Sequence, residues 1–408
     1  MAKNVMVGQS GGPTSVINAS LAGVFKTAKD EGLGTVYGMR NGIEGLLDER
    51  YVDISEHIKN DLDIELLKRT PSSFLGTCRF KLPKADRAPE LYEKIFAILN
   101  KLDVGFFFYI GGNDSMDTIM QLSHYAAKIN SPIRFMGVPK TIDNDLACTD
   151  HTPGYGSAAK YIATAMKEII RDAKTYALKS VTVVEIMGRN AGWLTAAAAL
   201  SRAEDCSGPD LIYLPEVVFD HDRFIERLKS ELETKNAIVV AVSEGIKTAD
   251  GIYVCEANKK SNMTDAFGHK LLGGTALYLS DYISAELGVK SRGIVLSTLQ
   301  RCASHLVSRR DITEAYQAGA DALVAAMRGE TGKMICFKRI SDNPYSIVSD
   351  IQDINLIANQ EKKVPLEWIT EDGTYVTSEF LTYARPLIIG ELTPFMVDGL
   401  PRHLYLDF

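Results

Sequence analysis

Residues 104–115 read VGFFFYIGGNDS, an unbroken apolar run that ends in a glycine pair and a short polar cluster. A run of this length, apolar on every residue rather than on alternate ones, suits a central parallel strand buried on both faces. The stretch that follows, Ser115 to Ile129, has the spacing of a helix. The same unit recurs on either side. Asn4–Val7 leads into a glycine-rich turn and a helical segment over Val16–Asp30. Ile133–Val138 ends in PKTIDND, Val181–Ile186 in MGRNAG before an alanine-rich helix, Ala237–Val242 in SEG, and Ile294–Ser297 in TLQR. Repeated strand-then-helix units define an α/β protein with largely parallel sheets. In such sheets ligands bind beyond the carboxyl ends of the strands, and each unusual polar cluster in this chain falls there.

The 408 residues are long for one compact unit, so the expectation is two α/β domains. Residues 1–150 would form the first, rejoined by a segment at about 265–310, and residues 151–264 the second. The remainder, 311–408, reads as a helix followed by a less regular tail from about Gly332. No apolar run is long enough to span a bilayer, and MAKNVMVGQSGG lacks the layout of a secretory signal, which points to the cytoplasm. Cysteines 78, 148, 206, 255, 302 and 336 are widely spaced, which argues for reduced thiols over zinc ligands or a disulfide framework. A net charge of −7 argues against nucleic acid as a partner. It leaves phosphorylated substrates open wherever basic side chains cluster.

Three polar clusters carry the chemistry. Gly8-Gln9-Ser10-Gly11-Gly12-Pro13-Thr14-Ser15 could bring backbone N–H groups and a helix N-terminus to a phosphate, or could be a plain strand-to-helix turn. Gly111-Gly112-Asn113-Asp114-Ser115 could cap a helix, or admit phosphate beside a carboxylate that holds Mg²⁺ or steers a donor. Pro139-Lys140-Thr141-Ile142-Asp143-Asn144-Asp145 could build Asx turns. It also has what phosphoryl transfer needs: a base, a cation for phosphoryl charge and a metal-holding carboxylate. Arg79, Arg189, Arg292 and Arg301 would each pass singly for surface arginines, but together they offer positive charge to anionic substrates.

These blocks, in this order from Gly8 to Arg301, resemble the phosphofructokinase family, and TIDND followed by MGR is the most specific match. GGNDS and PKTIDND resemble its pyrophosphate-dependent branch. The resemblance implies two α/β domains with the active site in the cleft between them. It also implies reversible transfer of a phosphoryl group from pyrophosphate to the 1-hydroxyl of fructose 6-phosphate with Mg²⁺, the ATP-dependent reaction being the alternative. Asp143 would accept the proton, with Thr141 and Ile142 beside it on the sugar. Gly11, Gly12 and Arg79 would contact donor phosphates. Met187, Gly188 and Arg189 would embrace the sugar, Glu244 would accept a sugar hydroxyl, and Arg301 would bind the 6-phosphate. Arg292 would reach into a neighbouring subunit's site, implying a homo-oligomer, dimer or tetramer, with shared sites.

Asp114 and Lys140 stand where ATP-using relatives carry glycine. The resemblance makes Asp114 an obstacle to the ATP α-phosphate and Lys140 a ligand of the leaving phosphate. Asn113 stands where most relatives carry a magnesium-binding aspartate, leaving Asn113 and Asp145 as the candidate metal residues. Ser180 replaces a second trans arginine, with Lys179 as its possible substitute. Thr298 replaces a histidine or aromatic residue near the sugar, and Ala22 an arginine of the bacterial allosteric site. A dinucleotide-dependent oxidoreductase would share the alternation, but the first strand lacks G-x-G-x-x-G. A non-catalytic sugar-phosphate sensor would need neither Asp143 nor Lys140.

Overall fold

The computed structural model describes residues 3–257 and 272–406. Eleven strands build its two main sheets. They are β1 (Asn4–Gln9), β2 (Val36–Met39), β3 (Tyr51–Asp53), β4 (Val104–Gly111), β5 (Arg134–Pro139), β6 (Ser180–Ile186), β7 (Leu211–Tyr213), β8 (Ala237–Ser243), β9 (Lys290–Val295), β10 (Lys333–Asp342) and β11 (Tyr345–Asp353). The larger sheet has the order β11-β10-β5-β4-β1-β2-β3, and the smaller β7-β8-β6-β9. All neighbours pair in parallel except β2 with β3 and β10 with β11.

The residues dictate these positions. In β4, Phe107, Phe108, Tyr109 and Ile110 are all buried, as an all-apolar central strand must be. Phe108 and Ile110 join a cluster with the helix Ile17–Asp30, while Phe107 and Tyr109 pack on the other face beside the helices Pro89–Lys101 and Asn113–Lys128. In the smaller sheet Val184 and Ile186 meet the helix Tyr155–Ala173, and Val181 and Val183 meet the helix Thr275–Leu287. Helices thus cover both faces of both sheets.

Three expectations are corrected. The segment at about 265–310 does not return to the first sheet: Lys290–Val295 pairs with β6 as the edge strand of the second, and 265–271 lies outside the described residues. The edge position fits its side chains, since Lys290 and Arg292 are exposed. The chain returns instead through the helix Arg309–Met327 and the hairpin β10–β11. The tail after Gly332 is therefore regular at first. Met334, Ile335, Cys336 and Phe337 are buried where β10 extends the large sheet beside β5. Finally, the alanine-rich segment after MGRNAG is a short turn of α-helix, Trp193–Ala196, followed by a 3₁₀ stretch, Ala197–Ser201. Its small side chains allow close packing beneath the helix Tyr155–Ala173.

Among the described residues no helix is long and apolar enough to cross a membrane. The six cysteines are free thiols.

Candidate active site

Strand register sets the first wall. Gln9 lies opposite Ile110, and Gly111 opposite Pro139, so the loops leaving β1, β4 and β5 stand side by side at the carboxyl end of the sheet. Backbone bonds lock them together: Ser10 N donates to Ile110 O at 3.0 Å and Lys140 N to Gly111 O at 3.1 Å. The Arg79 loop joins them through Gly11 N to Cys78 O at 3.2 Å and Thr77 Oγ1 to Gly11 O at 2.7 Å. On the opposite wall Ile186 lies opposite Ser243, which places Met187–Arg189 beside Glu244. Gly188 N donates to Glu244 Oε1 at 3.4 Å, and Met187 N to Gln300 Oε1 at 3.0 Å.

Between these walls lies a cleft of about 570 Å³. Gly11, Gly12, Arg79, Asn113, Asp114, Lys140, Thr141, Ile142, Asp143, Asp145, Met187, Arg189, Glu244 and Arg301 all line it. Gly188 borders it through its backbone bond to Glu244. The paired glycines leave room for the neighbouring cations. Gly11 has φ +75°, and a Cβ there would stand 3.3 Å from Lys140 Nζ, while one on Gly12 would stand 3.2 Å from Arg301 Nη1. The left-handed backbone at Gly11 favours glycine, and the absence of side chains lets the loop lie close to the two cations.

Two of the expected residues lie elsewhere. Thr298 precedes the short helix Leu299–Cys302 and does not line the cleft. Arg292 projects from edge strand β9, half-exposed, with Nη1 3.6 Å from Asp172 Oδ2. It borders a small surface cavity with Ser180, while Lys179 is exposed.

Asn359 and Glu361, from the segment after β11, also line the cleft. Nothing in their sequence context marks them. Asn359 Nδ2 donates to Asp117 Oδ1 at 3.0 Å, and Lys362 N to Asp145 O at 2.7 Å, which ties this segment across the mouth of the site. Lys81, two residues beyond Arg79, joins the lining as well.

Burial dominates the electrostatics. It pushes the Asp143 carboxyl up, with Lys140 and Arg189 opposing. Burial, followed by the charges of Asp143 and Glu361, raises Asp145 to about 7. Burial also raises Glu244 to about 7, the Gly188 N–H opposing. It lowers the Lys140 ammonium to about 8 against the attraction of Asp143 and Asp145, and lowers Arg301, with Arg79 adding to the effect. Lys140 Nζ meanwhile donates to Gly12 O at 2.7 Å, which holds it against the glycine loop. Buried acids that can take a proton near neutral pH, facing a group of cations, suit proton abstraction coupled to polyanion binding.

Residues 4–326 match a family described as phosphofructokinase. The chain belongs to the phosphofructokinase family. It is 40% identical to a protein of Methylococcus capsulatus named pyrophosphate–fructose 6-phosphate 1-phosphotransferase, over 99% of this chain and 96% of that one. A protein of Halomonas elongata with the same name is 40% identical over 98% and 95%. The crystal structure of a pyrophosphate-dependent phosphofructokinase from Nitrosospira multiformis superposes with a TM-score of 0.89 at 37% identity, covering 99% of this chain and 96% of that one. The segment after residue 326, which includes Glu361, lies beyond the family match but within the span shared with these relatives.

Proposed function

We propose that this phosphofructokinase transfers a phosphoryl group from pyrophosphate to the 1-hydroxyl of fructose 6-phosphate, giving fructose 1,6-bisphosphate and phosphate. The observation that carries the reading is the placement of Lys140, Asp143 and the glycine loop on one cleft wall, facing Arg189 and Glu244 on the other. It agrees with the names of the relatives that match nearly the whole chain. Asp143 takes the proton of the attacking hydroxyl, while Arg189, Glu244 and Arg301 orient the sugar phosphate. Lys140, Arg79 and the amides of Gly11 and Gly12 meet charge on the transferring and leaving groups.

Mg²⁺ fits this donor set. Asn113 Oδ1 is a buried oxygen with no hydrogen-bond partner among the described residues, and it shares the cleft with Asp145. Among the described residues no group of three or more His, Cys, Asp or Glu side chains forms a metal cage. An ion held by one or two protein oxygens, waters and substrate phosphates is the usual magnesium arrangement. Asn113 and Asp145 would hold it, and when bound it would neutralise pyrophosphate charge.

The direct test incubates the protein with fructose 6-phosphate, pyrophosphate and Mg²⁺ and follows the phosphorus species by NMR. Fructose 1,6-bisphosphate and phosphate should accumulate together, and adding both to fresh enzyme should regenerate pyrophosphate. Hydrolysis of pyrophosphate without sugar phosphorylation would refute the reading.

The exposed position of Arg292, outside its own cleft, supports a homo-oligomer whose subunits share sites. Arg292→Ala should then weaken sugar-phosphate binding while the fold stays intact. Mixing Arg292→Ala with Asp143→Asn subunits should restore some activity, because a hybrid site can draw both good residues from different chains. No recovery in a mixture shown to exchange subunits would rule out the shared site.

A further inference from the structure

Asn144 stands between Asp143 and Asp145 and points away from the cleft. It is fully buried and has φ +55°, a left-handed conformation open to asparagine but not to most non-glycine residues. Its amide is held at both ends. Oδ1 accepts from Thr152 N at 3.0 Å, and Nδ2 donates to the Tyr383 hydroxyl at 2.8 Å. That hydroxyl in turn donates to Asp150 O at 2.7 Å. The Tyr383 oxygen thus accepts a bond from one end of the catalytic loop and donates a bond to the other, and no apolar ring could do either.

Tyr383 is itself fixed on every side. Its ring centroid lies 5.2 Å from that of Trp193 and 5.3 Å from that of Trp368, and the Arg339 guanidinium carbon is 4.6 Å above it. Arg339 Nη1 donates to Tyr383 O at 3.0 Å, and Arg339 Nη2 to Asp150 Oδ2 at 2.9 Å. Lys362 Nζ adds bonds to Thr149 O at 3.1 Å and Asp150 O at 2.8 Å. All three of these anchoring side chains come from beyond residue 326, where the family match ends.

We infer that Tyr383 is a positioning residue for phosphoryl transfer: its hydroxyl, delivered by the C-terminal segment, holds Asn144 in its left-handed turn and so sets where the neighbouring Asp143 carboxylate points. Tyr383 does not line the cleft. Its effect passes through Asn144 to the base. The inference rests on Asp143 acting in the transfer, which the Asp143→Asn protein tests separately.

Tyr383→Phe keeps the ring among its aromatic neighbours and removes both hydrogen bonds. Loosening a reacting group by a fraction of an ångström to an ångström costs up to about 100-fold in rate, so kcat with pyrophosphate should fall about 10- to 100-fold. KM for fructose 6-phosphate should stay within about 3-fold, since the sugar-binding wall of Met187–Arg189 and Glu244 is untouched. The decisive comparison repeats the substitution in an Asp143→Asn background. There it should cost less than about 2-fold, because a group that acts by placing the base has nothing left to place. A purely structural tyrosine would lower activity by the same factor in both backgrounds, and that result, or an unchanged kcat, overturns the inference. Asn144→Gly keeps the left-handed turn accessible and deletes the amide, so it provides the same test if Tyr383→Phe does not fold. It should reproduce both the loss of kcat and its disappearance without Asp143.

Discussion

Asp143→Asn is expected to lower kcat with pyrophosphate by about 10²–10⁴-fold, the range for loss of a positioned general base. The amide keeps the shape of the carboxylate, and the backbone bond from Asp143 N to Thr141 Oγ1, 3.0 Å, does not involve the altered group. Substrate affinity should therefore barely change. The loss should also persist across pH, since asparagine cannot be ionised into a base. Steady-state rates on a sample with wild-type melting behaviour measure this, and turnover near that of the wild type would remove Asp143 from its role.

The second large effect concerns donor choice. Asp114 lies in the first turn of the helix Asn113–Lys128 and lines the cleft, and Lys140 sits against Gly12 with its ammonium drawn into the protein. A cation that meets charge developing in the transition state is worth about 3–4 kcal/mol, so Lys140→Gly should cost about 10²–10³-fold in the pyrophosphate rate. Asp114→Gly alone should give little ATP activity, because Lys140 still occupies the channel. The double variant should move the ratio of kcat/KM values toward ATP by more than the two single changes combined, as expected of residues sharing one ligand site. A cycle of four proteins assayed with both donors measures the coupling, and additive effects would contradict it. The buried lysine also sets a pH limit. Burial lowers its ammonium to about 8, so the charged form is lost as pH rises through that value. Wild-type kcat/KM for pyrophosphate, which reports the free enzyme, should fall above about pH 8.

Much of this site was legible in the sequence because strand ends announce themselves. The run VGFFFYI suits a strand buried on both faces, and the glycines, lysine and carboxylates after β1, β4 and β5 share the carboxyl end of the sheet once those strands are parallel neighbours. Other parts were not legible, for physical reasons. β9 carries exposed Lys290 and Arg292 because it is an edge strand, and a short, partly polar run gives no sign of which sheet it joins. The hairpin β10–β11 has four consecutive buried residues only at Met334–Phe337, at and just beyond its pairing with β5, and the rest alternates or lies open to solvent, so its pattern reads as irregular. Asn359, Glu361 and Tyr383 reach the site or its supporting loop through contacts more than 200 residues apart in the chain. No local spacing can encode a contact of that kind. Asn144 is the most telling case. It reads as a turn residue between two carboxylates, and its function depends on a hydroxyl at position 383.

The central claim is that the cleft takes its phosphoryl group from pyrophosphate. Initial rates measured separately with pyrophosphate and with ATP, at matched fructose 6-phosphate and Mg²⁺ and below pH 8, test it most directly. The kcat/KM for pyrophosphate should exceed that for ATP by orders of magnitude, with fructose 1,6-bisphosphate as the product. A wild-type enzyme that prefers ATP would contradict the roles given to Asp114 and Lys140.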